Sequence, residues 1–237
     1  MTHIPAPPDK RLVWYLAMEE YIGSKIADYP DGVFFTWVVE PTVIFGRHQV
    51  MEQEVNLQFC TLNGIKTYRR KSGGGCVYAD RGNLMLSYIT PSIHAEQVFQ
   101  TYIETIASLL IDLGLPAVRS EHNDIMVEQG KVSGNACYAL KTGTIVHGTM
   151  LYDVDFAQLQ QAITPSAEKM AKHGVQSVRQ RVMNLKPLLG SINDISLLAD
   201  YLTDSLCTDT MHLTAKDIVS IDKIETTYLN PDFLYDK

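Results

Sequence analysis

The sequence predicts an α+β domain in which mixed and antiparallel sheets are surrounded by helices. Two observations carry this expectation. The β-rich runs are grouped, and the helices fall among and after them without the strict strand–helix alternation of a doubly wound sheet. In addition, residues 124–127, 131–140 and 144–154 are β-rich runs separated only by Gln129-Gly130 and Thr142-Gly143, the pattern of an antiparallel meander.

From the N-terminus, Asp9 is placed to cap a helix whose apolar residues Leu12, Leu16, Ile22 and Ile26 recur on roughly helical spacing. Tyr29-Pro30-Asp31-Gly32 is a turn. Residues 33–39 and 42–45 are rich in β-branched and aromatic side chains and read as two strands broken at Pro41. A short helix over 55–62 ends at Asn63-Gly64. Strands are expected over 65–69 and 76–89, around the glycine-rich stretch 72–75. The clearest helix covers 94–113, with Val98, Tyr102, Ile106, Leu109 and Leu113 on its apolar face and Gly114 as its stop. Beyond the meander the chain reads as helical over 155–163, 166–173, 195–207 and 215–229. There Thr214, with Asp217 three residues on, resembles a capping box.

The 237 residues suffice for one domain with a substantial core. A net charge of −7 leaves no basic footprint for nucleic acid or an anionic membrane surface, so neither is expected as a partner. No apolar run approaches about 18 residues, so no membrane span is expected. Residues 1–9 lack the basic-then-apolar pattern of a leader. Cys60, Cys76, Cys137 and Cys207 follow no metal-ligand or paired spacing, which fits reduced thiols in a cytoplasmic protein.

The segment Arg69-Arg70-Lys71-Ser72-Gly73-Gly74-Gly75-Cys76-Val77-Tyr78 is the most informative. Consecutive glycines between two strands let the backbone come close to a ligand and offer N–H donors to an anion, while the flanking arginines and Lys71 bring positive charge. It is neither a Walker loop nor a dinucleotide fingerprint, because no Gly-Lys-Ser/Thr follows and no helix begins there. The plain alternative is a hairpin tip with solvated basic residues.

Asn123-Asp124 precedes Gly130-Lys131-Val132-Ser133-Gly134-Asn135-Ala136. Lys131 opens a strand after a turn, and small residues behind it let a ligand lie along the strand while the ammonium reaches its charged centre. Asn123 and Asp124 suit a metal, ribose hydroxyls or the support of Lys131; otherwise they form a surface turn beside a surface lysine. His147, followed by Gly148 and Thr149, reads either as a general base or as a hydrogen-bonded core histidine. Cys76 and Cys137 lie near these segments, where a thiolate could form a thioester, or they are small buried hydrophobes. His48 and His122 have no partner at ligand spacing.

In order and spacing, these segments resemble the lipoate-protein ligase A family. Trp37 with Pro41-Thr42-Val43-Ile44-Phe45-Gly46-Arg47-His48-Gln49 is similar to its entry strand. The glycine loop running on to Asp80 and Gly82-Asn83, the Lys131 segment, and His147-Gly148-Thr149 with Leu151 are similar to its central motifs. The run Gly174-Val175-Gln176-Ser177-Val178-Arg179-Gln180-Arg181-Val182-Met183-Asn184-Leu185 is similar to its late signature. The resemblance covers about residues 12–190.

It implies one catalytic domain over 1–237, related to biotin protein ligases and the class II aminoacyl-tRNA synthetase core. Residues from about 191 form a helical end, and the small C-terminal accessory domain of longer members is absent. The implied activity is activation of lipoate or octanoate with ATP to the acyl-adenylate, transfer to a lysine of a lipoyl domain, or both. The acceptors would be 2-oxoacid dehydrogenase E2 subunits or the glycine cleavage H protein, with a separate accessory subunit as a further partner. Arg70, Ser72, Gly73, Gly74, Gly75, Cys76, Val77 and Tyr78 would line the adenylate. Lys131 would contact the acyl carboxyl and the α-phosphate as the catalytic residue. Asn83 and Asp124 would help hold ATP and Mg²⁺, and Asn123, Ser133, Gly134, His147, Gly148 and Thr149 would complete the surface. Val43, Phe45, Val77 and Tyr78 are candidate walls of an acyl tunnel. Two rivals remain. One is an octanoyl- or lipoyl-transferase using a cysteine thioester, against which Ser120-Glu121-His122-Asn123-Asp124 offers no cysteine where those relatives carry one. The other is a non-catalytic binding module, against which Arg70, Lys131 and Asp124 all stand.

Overall fold

The computed structural model describes residues 1–121, 123–163 and 182–235. Its strands are β1 (Thr2–His3), β2 (Val33–Trp37), β3 (Thr42–Phe45), β4 (Lys66–Arg69), β5 (Val77–Ala79) and β6 (Asn83–Thr90). They continue with β7 (Ala117–Arg119), β8 (Asp124–Val127), β9 (Gly130–Ala139), β10 (Thr144–Leu151) and β11 (Asp209–Thr210). Eight of them form a mixed sheet of order β11–β1–β2–β6–β10–β9–β8–β7, and the other three a small sheet of order β4–β3–β5. The α+β class holds, as does the β8–β9–β10 antiparallel meander.

Alternation along single strands explains how the layers stack. In β2, Val33, Phe35 and Trp37 enter one core and Phe34 enters another, so both faces of the large sheet are covered. Helix α1 (Leu12–Ser24) covers the first face and is apolar almost all round; every residue except Glu20 and Ser24 is buried. After the short α2 (Met51–Glu54) and α3 (Leu57–Leu62) comes α4 (Ala95–Asp112), which covers the second face with Tyr102, Ile103, Ile106, Ala107 and Leu110. Gly114, at φ 84°, ends it as expected. Helix α5 (Phe156–Ala162) packs with the small sheet, and α6 (Ile195–Leu206) joins the α4 side. Helix α7 (Ala215–Tyr228), capped by the expected Thr214–Asp217 box, lies on α1, and α8 (Pro231–Tyr235) ends the described chain. No helix among the described residues is long and apolar enough to cross a membrane.

Three expectations are corrected. Residues 76–89 are not one strand. Asp80 Oδ1 accepts the Gly82 N–H at 2.8 Å and turns the chain there, so β5 joins the small sheet and β6 the large one. Only glycine fits at 82, since a Cβ would stand 2.0 Å from the Asp153 carbonyl oxygen. Asp9 does not cap α1: the N-cap is Arg11, with no side-chain bond, and Asp9 instead pairs with Arg81 at 3.2 Å. The helix expected over 55–62 begins at Leu57, where Asn56 caps it through the Phe59 N–H. Strands β1, β7 and β11 are two or three residues long and carry too little pattern to be read from sequence. The helix expected at 166–173, most of the late signature at 174–181, and His122 lie outside the described residues.

Candidate active site

A cleft of about 240 Å³ opens between α1, the glycine loop and strands β8–β10. Its apolar walls are Leu12 and Leu16 of α1, Trp37 of β2, Ile44 of β3, Val77 of β5 and Met85 of β6. Of the walls named from sequence, Val77 lines the cleft and Val43, Phe45 and Tyr78 do not. Pairing of Val43 with Tyr78 and of Ile44 with Val77 puts alternate residues on opposite faces of the small sheet. Val43, Phe45 and Tyr78 therefore join the core beneath it, and Ile44 faces the cleft.

The polar wall brings together Arg70, Gly74, Gly75, Cys76, Asn123, Asp124, Lys131, Gly134, His147, Gly148 and Thr149, which are 11 of the 17 residues expected at the site. Lys131 Nζ lies 2.7 Å from Asp124 Oδ1 across β8 and β9. A bulge between Ile125 and Met126 shifts the register there and pairs Met126 with Lys131. The glycine at 134 leaves room for the lysine where it stands: a Cβ there would come 2.7 Å from Lys131 Nζ and displace the end of that side chain. Gly148 has a parallel role, since a Cβ would meet Asn135 Oδ1 at 2.0 Å. Thr149 Oγ1 accepts the Gly134 N–H at 3.1 Å and ties β10 to β9 beside the lysine.

Ser72, Asn83, Ser133 and Tyr78 do not line the cleft; all four are buried within the wall. Gly73 is exposed at the outer tip of the loop and is likewise not a lining residue. The basic run before the loop also divides. The Arg69 guanidinium is buried, donating to the carbonyls of Arg47 at 2.7 Å and Gln49 at 2.9 Å, and Lys71 pairs with Glu20, so of the three only Arg70 lines the cleft. Even Arg70 is largely spent on structure. Its Nη2 donates to the Gly73 and Gly75 carbonyls at 2.7 Å each, its Nε to Ser72 Oγ at 3.1 Å, and its Nη1 to Ile44 O at 3.3 Å. Burial pulls its pKa down to about 10, still charged at neutral pH.

His147 is a hydrogen-bonded histidine in the cleft wall. Its Nδ1 is 2.9 Å from Glu19 Oε2 and its Nε2 is 2.7 Å from Ser72 Oγ. Glu19 Oε1 accepts the Ser87 hydroxyl at 2.5 Å, and Ser87 accepts the Trp37 indole N–H at 2.9 Å. Every bond is satisfied if Nδ1 donates to Glu19 and Nε2 accepts the Ser72 hydroxyl. The order serine–imidazole–carboxylate is that of a hydrolase triad. Ser72, however, is 1% exposed and already accepts from Arg70, so its oxygen is not presented to a substrate. The chain holds the glycine loop, the cleft wall and α1 together. Sequence reasoning missed Glu19, although a pair of glutamates inside the apolar run Leu12–Ser24 was the signal that could have found it.

The cysteines divide in the same way. Cys76 lines the cleft, whereas Cys137 packs against the α4-side core and burial raises its pKa. No disulfide joins any of the four cysteines.

The family model of the lipoyl protein ligase A/B catalytic domain matches residues 13–207. The chain belongs to this family. It is 34% identical over 217 residues to lipoate–protein ligase 1 of Staphylococcus aureus, covering 88% of this chain and 65% of that relative. The chain spans 67% of the length of a probable lipoate-protein ligase A from Mycoplasma pneumoniae and 53% of that of a lipoate-protein ligase from Bacillus subtilis. A crystal structure of lipoate-protein ligase A bound with ATP superposes with a TM-score of 0.80 at 25% identity, over 98% of each chain. A bi-partite lipoate protein ligase from Thermoplasma acidophilum, described with its E2 lipoyl domain, shares the fold. Its TM-score is 0.80 at 24% identity, over 99% of this chain and 95% of that one.

Proposed function

We propose that this chain is the catalytic unit of a lipoate-protein ligase. It activates lipoate or octanoate with ATP to the acyl-adenylate and transfers the acyl group to a lysine of a lipoyl domain. One observation carries the reading: a single cleft joins an apolar slot to a polar wall where Lys131, paired with Asp124, shares the lining with the glycine loop. The ATP-bound neighbour and the ligase names of the relatives support it.

In the first half-reaction the substrate carboxylate attacks the α-phosphorus and pyrophosphate leaves, so negative charge grows on the phosphate oxygens. A lysine ammonium held in place by Asp124 and the backbone of Gly74-Gly75 are preorganised to offset it. In the second, an acceptor lysine amine attacks the acyl carbon and AMP leaves, and Lys131 again offsets charge on the departing phosphate. Among the described residues no group of three His, Cys, Asp or Glu side chains is placed to hold a metal. Asp124, the one carboxylate lining the cleft among the described residues, fits Mg²⁺ carried mainly by the ATP phosphates rather than caged by protein. Such an ion would neutralise phosphate charge. Four cysteines with no disulfide among them accord with a cytoplasmic setting.

Adenylation must enclose ATP, Mg²⁺ and a carboxylate together and exclude water, a task for a closing element. A separate accessory subunit is therefore part of the proposal, with E2 lipoyl domains or the glycine cleavage H protein as acceptors; the bi-partite archaeal neighbour supports it. The test compares pyrophosphate release from lipoate and ATP with single-turnover transfer from lipoyl-AMP, both with this chain alone. Transfer is expected to be fast and pyrophosphate release slow until the subunit is added. Equal rates would remove the need for a subunit, and absence of transfer would overturn the functional assignment.

Cys76 is the thiol in the cleft, so it also tests the thioester alternative. Cys76→Ser is expected to retain most activity, because an adenylate route needs no thiol. A hydroxylamine-sensitive acyl-enzyme trapped on Cys76 would favour the transferase mechanism instead.

A further inference from the structure

The three glycines at 73–75 give the loop close approach but no stiffness, so its order must come from the residues that flank it. Arg70 holds it from the cleft side, through the carbonyls of Gly73 and Gly75. Lys71 leaves in another direction. Its Nζ lies 2.8 Å from each carboxylate oxygen of Glu20 on α1, and 4.6 Å from the centre of the Tyr228 ring in the last turn of α7. Tyr228 in turn donates its hydroxyl to Glu20. Ammonium, carboxylate and phenol thus close a three-membered group built from three separate stretches of chain.

The group is sheltered and braced. Tyr228 is 2% exposed, and Phe233 of α8 packs edge-on against its ring at 5.6 Å. The next residue, Leu234, accepts the Arg69 Nε–H at 3.2 Å through its carbonyl. The C-terminal stretch therefore grips both cations that do not face the cleft. Partial burial keeps the Lys71–Glu20 pair from being screened as a fully solvated pair would be, and the ring adds a cation–π contact.

We propose that Glu20 and Tyr228 are positioning residues: they anchor Lys71 at the start of the glycine loop, so α1 and α7 set where residues 72–75 stand in the cleft. The inference deepens the functional reading above and rests on it for the identity of the ligand. An α1–α7 contact that served stability alone would lower the melting temperature of a variant without changing the loop.

The experiment uses the full chain and two readouts. Amide hydrogen exchange over residues 71–76 reports on the loop without any ligand. Titration with a non-hydrolysable lipoyl-adenylate analogue, beside titration with lipoate alone, reports on the nucleotide end of the site. Tyr228→Phe and Glu20→Gln are each expected to speed exchange over 71–76. Each should weaken the analogue about fivefold, the size of one net hydrogen bond, while lipoate affinity stays level. Lys71→Met should match them, and Lys71→Arg, which keeps the charge, should restore wild-type values. If Tyr228→Phe fails to fold, the half-buried Glu20 and Lys71 variants carry the test. Unchanged exchange in folded variants would overturn the anchoring. Faster exchange with unchanged analogue affinity would overturn its link to the ligand. Failure of the wild-type chain to bind the analogue would instead refute the ligase reading, leaving the exchange result to judge the anchor.

Discussion

Replacing Lys131 with alanine is expected to lower lipoyl transfer by roughly two or more orders of magnitude, as removal of a preorganised charge stabiliser does elsewhere. The fold should survive. Lys131 is 29% exposed in its side chain and its ion pair is with one neighbour, so little packing is lost. Single-turnover transfer from lipoyl-AMP, with circular dichroism of the variant, is the measurement. Because Lys131 is assigned to both half-reactions, pyrophosphate release should fall in parallel. A folded variant that transfers at near-normal rate would end the assignment.

Gly46→Ala is the second large effect expected, and it comes from geometry alone. A Cβ at 46 would stand 2.3 Å from the Gly74 carbonyl oxygen and 3.3 Å from Arg70 Nη2. The first contact is with backbone, so the loop itself must shift. A displacement of roughly 1 Å at a reacting site can cost about a hundredfold in rate, whereas overpacking of this kind costs stability of only about 1–3 kcal/mol. Activity should therefore fall far more than the melting temperature. A variant with a lowered melting temperature but unaltered activity would show that the loop does not contact the reacting groups.

Much of this protein is legible along the chain because its signals are short-ranged. The α4 helix, its glycine stop and the capping box at Thr214 each depend on residues within a few positions of one another. The Lys131 segment is legible for the same reason, since the Gly134 that makes room for the lysine is three residues away. Where a segment contained strand-like residues at both ends, as in 76–89, composition did not reveal the turn at Asp80–Gly82. Asp80 makes that turn locally, but the packing that admits only glycine at 82 comes from the Asp153 carbonyl, 71 positions further on.

By itself, then, the sequence determined the α+β class, the meander, the family resemblance and the two segments that meet in the cleft. Only the tertiary structure decided what each charged residue does once there. Three adjacent cations look equivalent in a string, yet Arg69 turns to carbonyls, Arg70 to the loop and cleft, and Lys71 to Glu20. The partners that separate them are remote in sequence: Lys71 and Glu20 are 51 residues apart, His147 and Glu19 are 128, and Tyr228 and Glu20 are 208. A long side chain reaches whichever counter-charge the packed sheet and helices bring within about 3 Å, and local pattern holds no information about that distance.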